Sequence, residues 1–293
     1  MKSSNSKSWR LVVFASLLIL LAFVYGTNIL KESPFEGFLG KSNATLERSA
    51  EFKQMLVPIT DVSSSDLLLD ISENSTRHIA GSVVIPYTNF IIEGLLKSEP
   101  DIARIFGGAG VSRDDSIVIY GECMPCGGGP APATFVYWIM KCLGHENVRV
   151  LDGTVEEWAA SGLPTANKST IKPPKNYTPM FTPDLIATYD YVKSGEATIV
   201  DARSFQEFNT SSIPGAINIP YESVLNNRTI KNETALKRVF ADLNKDKPVV
   251  VFTDTGIKAS VEWFTLKMLG YDTKLYSWRD WVVNQANEGI SST

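Results

Sequence analysis

An ordered set of phrases occurs twice along this chain, and such a repeat constrains architecture more than any single motif. The first copy holds Leu67-Leu68-Leu69-Asp70, Ile79-Ala80-Gly81-Ser82-Val83-Val84-Ile85-Pro86, Ser116-Ile117-Val118-Ile119-Tyr120, a segment ending in Leu143-Gly144-His145, Val148-Arg149-Val150-Leu151-Asp152-Gly153 and Trp158. The second holds, in the same order, Thr198-Ile199-Val200-Asp201, Ile213-Pro214-Gly215-Ala216-Ile217-Asn218-Ile219-Pro220, Pro248-Val249-Val250-Val251-Phe252, a segment ending in Leu269-Gly270-Tyr271, Lys274-Leu275-Tyr276 and Trp281. Whatever one copy folds into, the other must fold into as well.

The short continuous apolar runs, Ile117 to Tyr120 and Val249 to Phe252, fit strands buried on both faces. Between the runs, Phe135, Ile139 and Leu143, and again Val261, Phe264 and Met268, recur three or four residues apart, which gives each helix one face against a sheet. Each copy is therefore an α/β unit, strands buried in a sheet with helices packed against it. One domain spans 50–166 and a second spans 184–293. The connector over 167–183 is rich in proline (Pro173, Pro174, Pro179 and Pro183) and poor in apolar residues, so it stays extended. A polar linker over 31–49 precedes the first domain.

Residues 1–30 carry a different signal. Lys2, Lys7 and Arg10 precede Leu11 to Gly26, a stretch broken only by Ser16, and a positive flank before an apolar helix is what export machinery reads. Sixteen residues at about 1.5 Å each give roughly 24 Å, so a short signal anchor and a cleaved signal peptide are both physically admissible. Phe23 and Tyr25 spoil a small-residue cleavage site, which favours an uncleaved anchor holding the domains outside the cytoplasm. Asn-x-Ser/Thr triplets begin at Asn43, Asn74, Asn167, Asn176, Asn209, Asn227 and Asn232, more than composition alone would supply, and this predicts a glycoprotein. A balance of 28 Lys+Arg against 32 Asp+Glu gives no electrostatic reason to bind nucleic acid. Three cysteines cannot form a disulfide scaffold, and with His78 and His145 they lack metal-ligand spacing, so no metal and no cofactor is expected.

In combination these phrases resemble the rhodanese family of sulfurtransferases in its tandem two-domain form, over roughly residues 50 to 285. The resemblance implies a five-stranded parallel sheet with helices on both faces in each domain. It also implies a reactive cysteine where the central strand hands over to a helix, because the unpaired amides and dipole of a helix N-terminus lower a thiol pKa and hold a persulfide. The second copy reads Phe252-Thr253-Asp254-Thr255-Gly256-Ile257-Lys258-Ala259-Ser260, with Thr253 in the cysteine position, so this domain is predicted inactive.

The first copy reads Tyr120-Gly121-Glu122-Cys123-Met124-Pro125-Cys126-Gly127-Gly128-Gly129-Pro130-Ala131-Pro132, a longer loop. Counting back from Leu143-Gly144 places Gly127 opposite Thr253 and Cys126 one step away. Cys126 is therefore the leading nucleophile, with Gly127, Gly128, Gly129 and Ala131 as a substrate-binding cradle of backbone amides. Pro130 and Pro132 remove two donors, and the loop lacks a cation for a dianionic donor. Cys123 completes a Cys-x-x-Cys pair as a resolving or alternative nucleophile, while Cys142 reads as a core residue. A carboxylate at Glu122 would raise a nearby thiol pKa. Asp70 and Asp201 are expected to hold the sheet ends, His78 to cap or pack, and Trp158 and Trp281 to anchor the core.

The expected activity moves a sulfane sulfur from a small donor of the thiosulfate or mercaptopyruvate type to a thiol or cyanide through a Cys126 persulfide. Two alternatives stand beside it: a non-catalytic binding module on the same fold, and a Cys123/Cys126 dithiol redox protein.

Overall fold

The structure, a computed structural model, describes residues 49–124 and 127–291. The apolar stretch Leu11 to Gly26, expected as an N-terminal helix, lies outside the described residues; among those described no helix is long and apolar enough to cross a membrane. The first domain runs α1 (Ala50–Met55), β1 (Leu56–Pro58), β2 (Leu67–Asp70), β3 (His78–Ile79), β4 (Val83–Val84), β5 (Ile91–Ile92), β6 (Leu95–Leu96), α2 (Glu99–Gly108), β7 (Ile117–Tyr120), α3 (Ala131–Cys142), β8 (Val148–Asp152), α4 (Val155–Ala160) and β9 (Thr165–Ala166). Its main sheet is parallel, with order β1-β8-β7-β2-β4, and the all-apolar β7 sits at its centre, buried along its whole length.

The second domain runs α5 (Tyr189–Lys193), β10 (Thr198–Asp201), α6 (Phe205–Thr210), β11 (Ile217–Asn218), β12 (Leu225–Asn226), β13 (Thr229–Ile230), α7 (Glu233–Val239), β14 (Val249–Thr253), α8 (Ala259–Met268), β15 (Thr273–Ser277) and α9 (Trp278–Ser291). Its sheet has four strands, β11-β10-β14-β15, all parallel, rather than the five expected. The fifth position is reduced to one parallel bridge, Ile186 to Leu275, where the first domain pairs Leu56 with Val150. Pro183, which cannot donate a ladder hydrogen bond, stands three residues before that bridge.

The twin helices depart from the one-faced pattern. Thr134, Val136, Tyr137 and Met140 of α3, and Ser260, Trp263, Thr265 and Leu266 of α8, are as buried as the sheet-facing residues. The reason is that α3 packs on α8: Tyr137 meets Phe264 edge-on at 4.9 Å, and the Thr134 and Ser260 hydroxyls share a hydrogen bond of 2.8 Å. A helix covered by a sheet on one side and a twin helix on the other must be apolar nearly all round. One core cluster accordingly contains residues of both domains.

Each twin helix ends at the repeated Leu-Gly phrase. Gly144 (φ +73°) and Gly270 (φ +79°) take the left-handed conformation. The amides of His145 and Gly144 close on Met140 and Lys141, and those of Tyr271 and Gly270 on Leu266 and Lys267, the double closure of a Schellman end. A β-carbon on Gly144 would also meet the Met180 carbonyl at 2.6 Å. That contact shows how the connector behaves. It is extended as expected, but it is pinned to the first domain through Thr170 to Ser82, Lys175 to Gly107 and Met180 to Leu143. Tyr177, within it, is buried against Phe106 at 5.1 Å.

Candidate active site

The sheet register fixes the correspondence between the two loops. Asp70 pairs with Tyr120 across β2 and β7, and Asp201 pairs with Phe252 across β10 and β14. Tyr120 is thus the counterpart of Phe252, and the residue opposite Thr253 is Gly121 rather than Gly127. Counting back from the helix end put the extra residues directly after the strand, before Gly127; the strand pairing puts them beyond Gly121, so Cys123 lies two positions past the residue that matches Thr253. Cys126 lies outside the described residues. Cys123 is disulfide-bonded, whereas Cys142 is free and buried, and burial pushes its thiol far up.

The amide cradle expected from Gly127, Gly128 and Gly129 is not built from those donors. All three have positive φ, but they turn their amides back into the loop: Gly127 to the Met124 carbonyl (3.1 Å), Gly128 to the Cys123 carbonyl (2.9 Å) and Gly129 to Glu122 Oε1 (2.8 Å). Glycine at these positions lets a tight loop satisfy itself. Ala131 opens α3 between two prolines. Its carbonyl accepts from the Thr134 hydroxyl at 3.1 Å and from the Ser260 hydroxyl of the second domain at 3.3 Å.

A cavity of about 370 Å³ lies where the two loops meet. The first domain contributes Tyr87, Cys123, Gly128, Ala131 and Pro132; the second contributes Thr253, Asp254 and Lys258 among others. Cys123 and Thr253, each 4 % exposed, therefore line one cleft from opposite domains. The Tyr87 hydroxyl donates to the Cys123 sulfur at 3.6 Å. Burial, and then Glu73, pushes the Tyr87 phenol up, so it keeps its proton at neutral pH and stays a donor. Across the cleft, the Thr253 hydroxyl accepts from the Ala259 amide at 3.3 Å and occupies the first turn of α8, where a thiolate would otherwise be stabilised.

The cation missing from the first loop arrives from the other domain. Arg228, in the β12–β13 hairpin, grips both oxygens of Glu122, with Nε to Oε1 at 2.7 Å and Nη2 to Oε2, and lies 3.8 Å from Glu156. Glu122 raises the Arg228 pKa, and the pair cancels the carboxylate that would have opposed a thiolate. Arg228 also packs on Gly128, where a β-carbon would meet its Nε at 2.9 Å. The arrangement is reciprocal: Arg279 of the second domain donates to the Glu93 carbonyl, at the tip of the β5–β6 hairpin, at 2.6 Å.

The remaining polar candidates hold the scaffold. Asp70 accepts from Ser72 N and pairs with His78 Nδ1 at 2.8 Å. Asp201 takes the Arg203 guanidinium in two hydrogen bonds, 3.0 and 2.6 Å, and the guanidinium lies over the Trp278 ring. Trp158 donates to the Pro164 carbonyl. Sequence reasoning missed Tyr87, Lys258 and Arg228. For the first, a signal existed: Tyr follows Ile-Pro in both copies, and Tyr87 and Tyr221 both line the cleft.

A family model for the rhodanese-like domain matches residues 46–161 and again 187–282. The chain belongs to the rhodanese family. Among curated relatives of this tandem rhodanese-like protein is the sulfur carrier protein TtuD of Thermus thermophilus, 29 % identical over 77 % of this chain and 87 % of its own length. A thiosulfate sulfurtransferase of Corynebacterium glutamicum is 28 % identical over 76 % of this chain and 81 % of its own. The crystal structure of SseA from Escherichia coli, described with the rhodanese fold of 3-mercaptopyruvate sulfotransferases, superposes with a TM-score of 0.68 at 21 % identity. It covers 77 % of this chain and 99 % of SseA, and it establishes the shared fold.

Proposed function

We propose that this protein is a sulfurtransferase whose sulfur is carried by the loop thiols of its first domain, Cys126 as persulfide carrier and Cys123 as resolving partner. The observation that carries this reading is the shared cleft: Cys123 lines it from one domain while the second domain brings Thr253 where the family keeps its cysteine. The curated relatives named for sulfur carriage and thiosulfate sulfur transfer support the same reaction class. The burial of Cys123 and its bond from Tyr87 suit a sulfur that closes on its neighbour rather than one that first meets the donor.

Turnover begins once an external dithiol has reduced the pair. The Cys126 thiolate attacks the donor's transferable sulfur, the outer sulfur of thiosulfate or the carbon-bound sulfur of a mercaptopyruvate-type donor, and a new S–S bond forms. The donor's bond to that sulfur breaks, and its electron pair leaves with the donor remnant. An acceptor thiolate or cyanide then attacks the outer sulfur and returns the Cys126 thiolate. Arg203 and Lys258 line the cleft together with Glu207, Glu222 and Asp254, with Arg203 already held by Asp201 and 3.8 Å from Asp254. A singly charged donor of the mercaptopyruvate type fits this lining better than dianionic thiosulfate. The test is transfer of sulfur to cyanide by pre-reduced protein. Cys126→Ser should abolish thiocyanate formation and Cys123→Ser should retain it; wild-type protein inactive with both donor types defeats the proposal.

A second reading, a dithiol redox protein, is favoured by the disulfide at Cys123. It differs in outcome, since either serine variant would then abolish activity. The reading also places the domains outside the cytoplasm behind a Leu11–Gly26 anchor. In support, Asn74, Asn167, Asn176, Asn209, Asn227 and Asn232 are all exposed, as glycan acceptors must be. A native mass without added sugar would remove that support.

A further inference from the structure

A second cavity, of about 560 Å³, lies on the other side of the second-domain loop. Four aromatic side chains, Phe135, Trp138, Tyr189 and Tyr276, and two carboxylates, Asp190 and Asp280, line it together with apolar and neutral residues; no lysine or arginine does. The aromatic floor is fixed in place. Phe135, Trp138 and Tyr276 are at most 6 % exposed. Phe135 and Trp138 stack at 6.0 Å, and the Trp138 indole N–H is held by the Leu185 carbonyl at 3.3 Å. The Tyr276 hydroxyl is buried, and burial, then the neighbouring Asp280 carboxylate, pushes its phenol far up. Asp190 and Asp280 stand exposed in the first turns of α5 and α9, and among the described residues neither is in an ion pair. One of these rings already takes a cation within the fold, with Lys193 Nζ 5.0 Å from the centroid of Tyr189.

We propose that this cavity binds an organic cation of the quaternary-ammonium class. Aromatic faces attract a cation through the ring quadrupole, and most effectively a weakly hydrated one that loses little water on entering. A compact metal ion would forfeit hydration that these walls do not replace. The carboxylates at the rim supply the countercharge, and the volume accommodates an ammonium head with an organic tail. The site is separate from the sulfur cleft and does not rest on sulfur transfer. It does share Thr255 with that cleft, so an occupant touches the reverse side of the same loop.

The test titrates the full chain, at constant ionic strength, with choline and with its uncharged isostere 3,3-dimethyl-1-butanol, read by tryptophan fluorescence and calorimetry. Choline should bind at least about tenfold more tightly than the isostere. Asp280→Asn and Asp190→Asn should each weaken choline about fivefold and leave the isostere unchanged, with circular dichroism unaltered. Trp138→Phe should weaken choline and remove part of the fluorescence response. Equal affinity for the two probes, choline binding indifferent to both aspartate changes, or no saturable binding of choline up to about 50 mM overturns the proposal.

Discussion

Thr253 stands at the end of β14 with its hydroxyl on the Ala259 amide, so the second domain has kept the strand-to-helix turn and exchanged its nucleophile for a cap. If the turn retains its electrostatics, Thr253→Cys in a Cys123→Ser/Cys126→Ser background will present a thiol titrating about one unit or more below ~8.5. Asp254 and Glu222 in the cleft limit the effect. The pH dependence of iodoacetamide alkylation measures it; a thiol of ordinary or raised pKa would show that the anion-stabilising geometry has gone too. A second residue, Glu262, is fully buried in α8 with neither carboxyl oxygen hydrogen-bonded among the described residues, and burial, then Asp201 and Glu222, pushes its pKa well up. An acid whose folded pKa lies above its unfolded value destabilises the fold once pH exceeds the unfolded value, and increasingly until pH reaches the folded one. Glu262→Gln should therefore raise stability by about 1–3 kcal/mol at pH 8 and change it little near pH 4, as read by denaturant unfolding. An equal effect at both pH values would place the carboxyl in contact with water or a cation.

At the scale of elements, the hairpins explain what was legible in the sequence and what was not. The strands, the twin helices and the Leu-Gly helix ends were readable because each is dictated by local apolar spacing or by one glycine, and the repeat doubled every signal. The missing fifth strand of the second sheet was not readable, since one bridge at Ile186 depends on how the connector is drawn across the first domain. The register of the cysteine loop was not readable: the count from the helix placed the extra residues before Gly127, whereas the strand pairing places them after Gly121. Arg228 was invisible, because its partner Glu122 is 106 positions away. That bridge makes a specific claim on the loop. Arg228→Ala should speed hydrogen exchange at the Gly129 amide, whose acceptor is Glu122 Oε1, at a cost to global stability of no more than about 1 kcal/mol, as the pair is partly exposed. Unchanged exchange at Gly129 would mean the loop holds Glu122 without Arg228.

For the whole molecule, the two copies behave as one body around α3 and α8, and the cleft is a product of that pairing rather than of either domain. The repeat predicted two equivalent units; the structure shows two units with unlike loops at one cleft. One contributes the cysteine-bearing loop. The other contributes the facing wall, the Arg228 clamp and a capped, thiol-free turn. The sequence argument for activity rested on the position of Cys126, on its glycines and on the family resemblance; the structure adds that Cys123 and Thr253 line the same cavity.

The most direct measurement is the intact mass of pre-reduced protein after incubation with a sulfane-sulfur donor. The account expects a gain of about 32 Da, one sulfur atom, present in wild type and Cys123→Ser and absent from Cys126→Ser. A mass unchanged in every form, or a gain that survives Cys126→Ser, would contradict it.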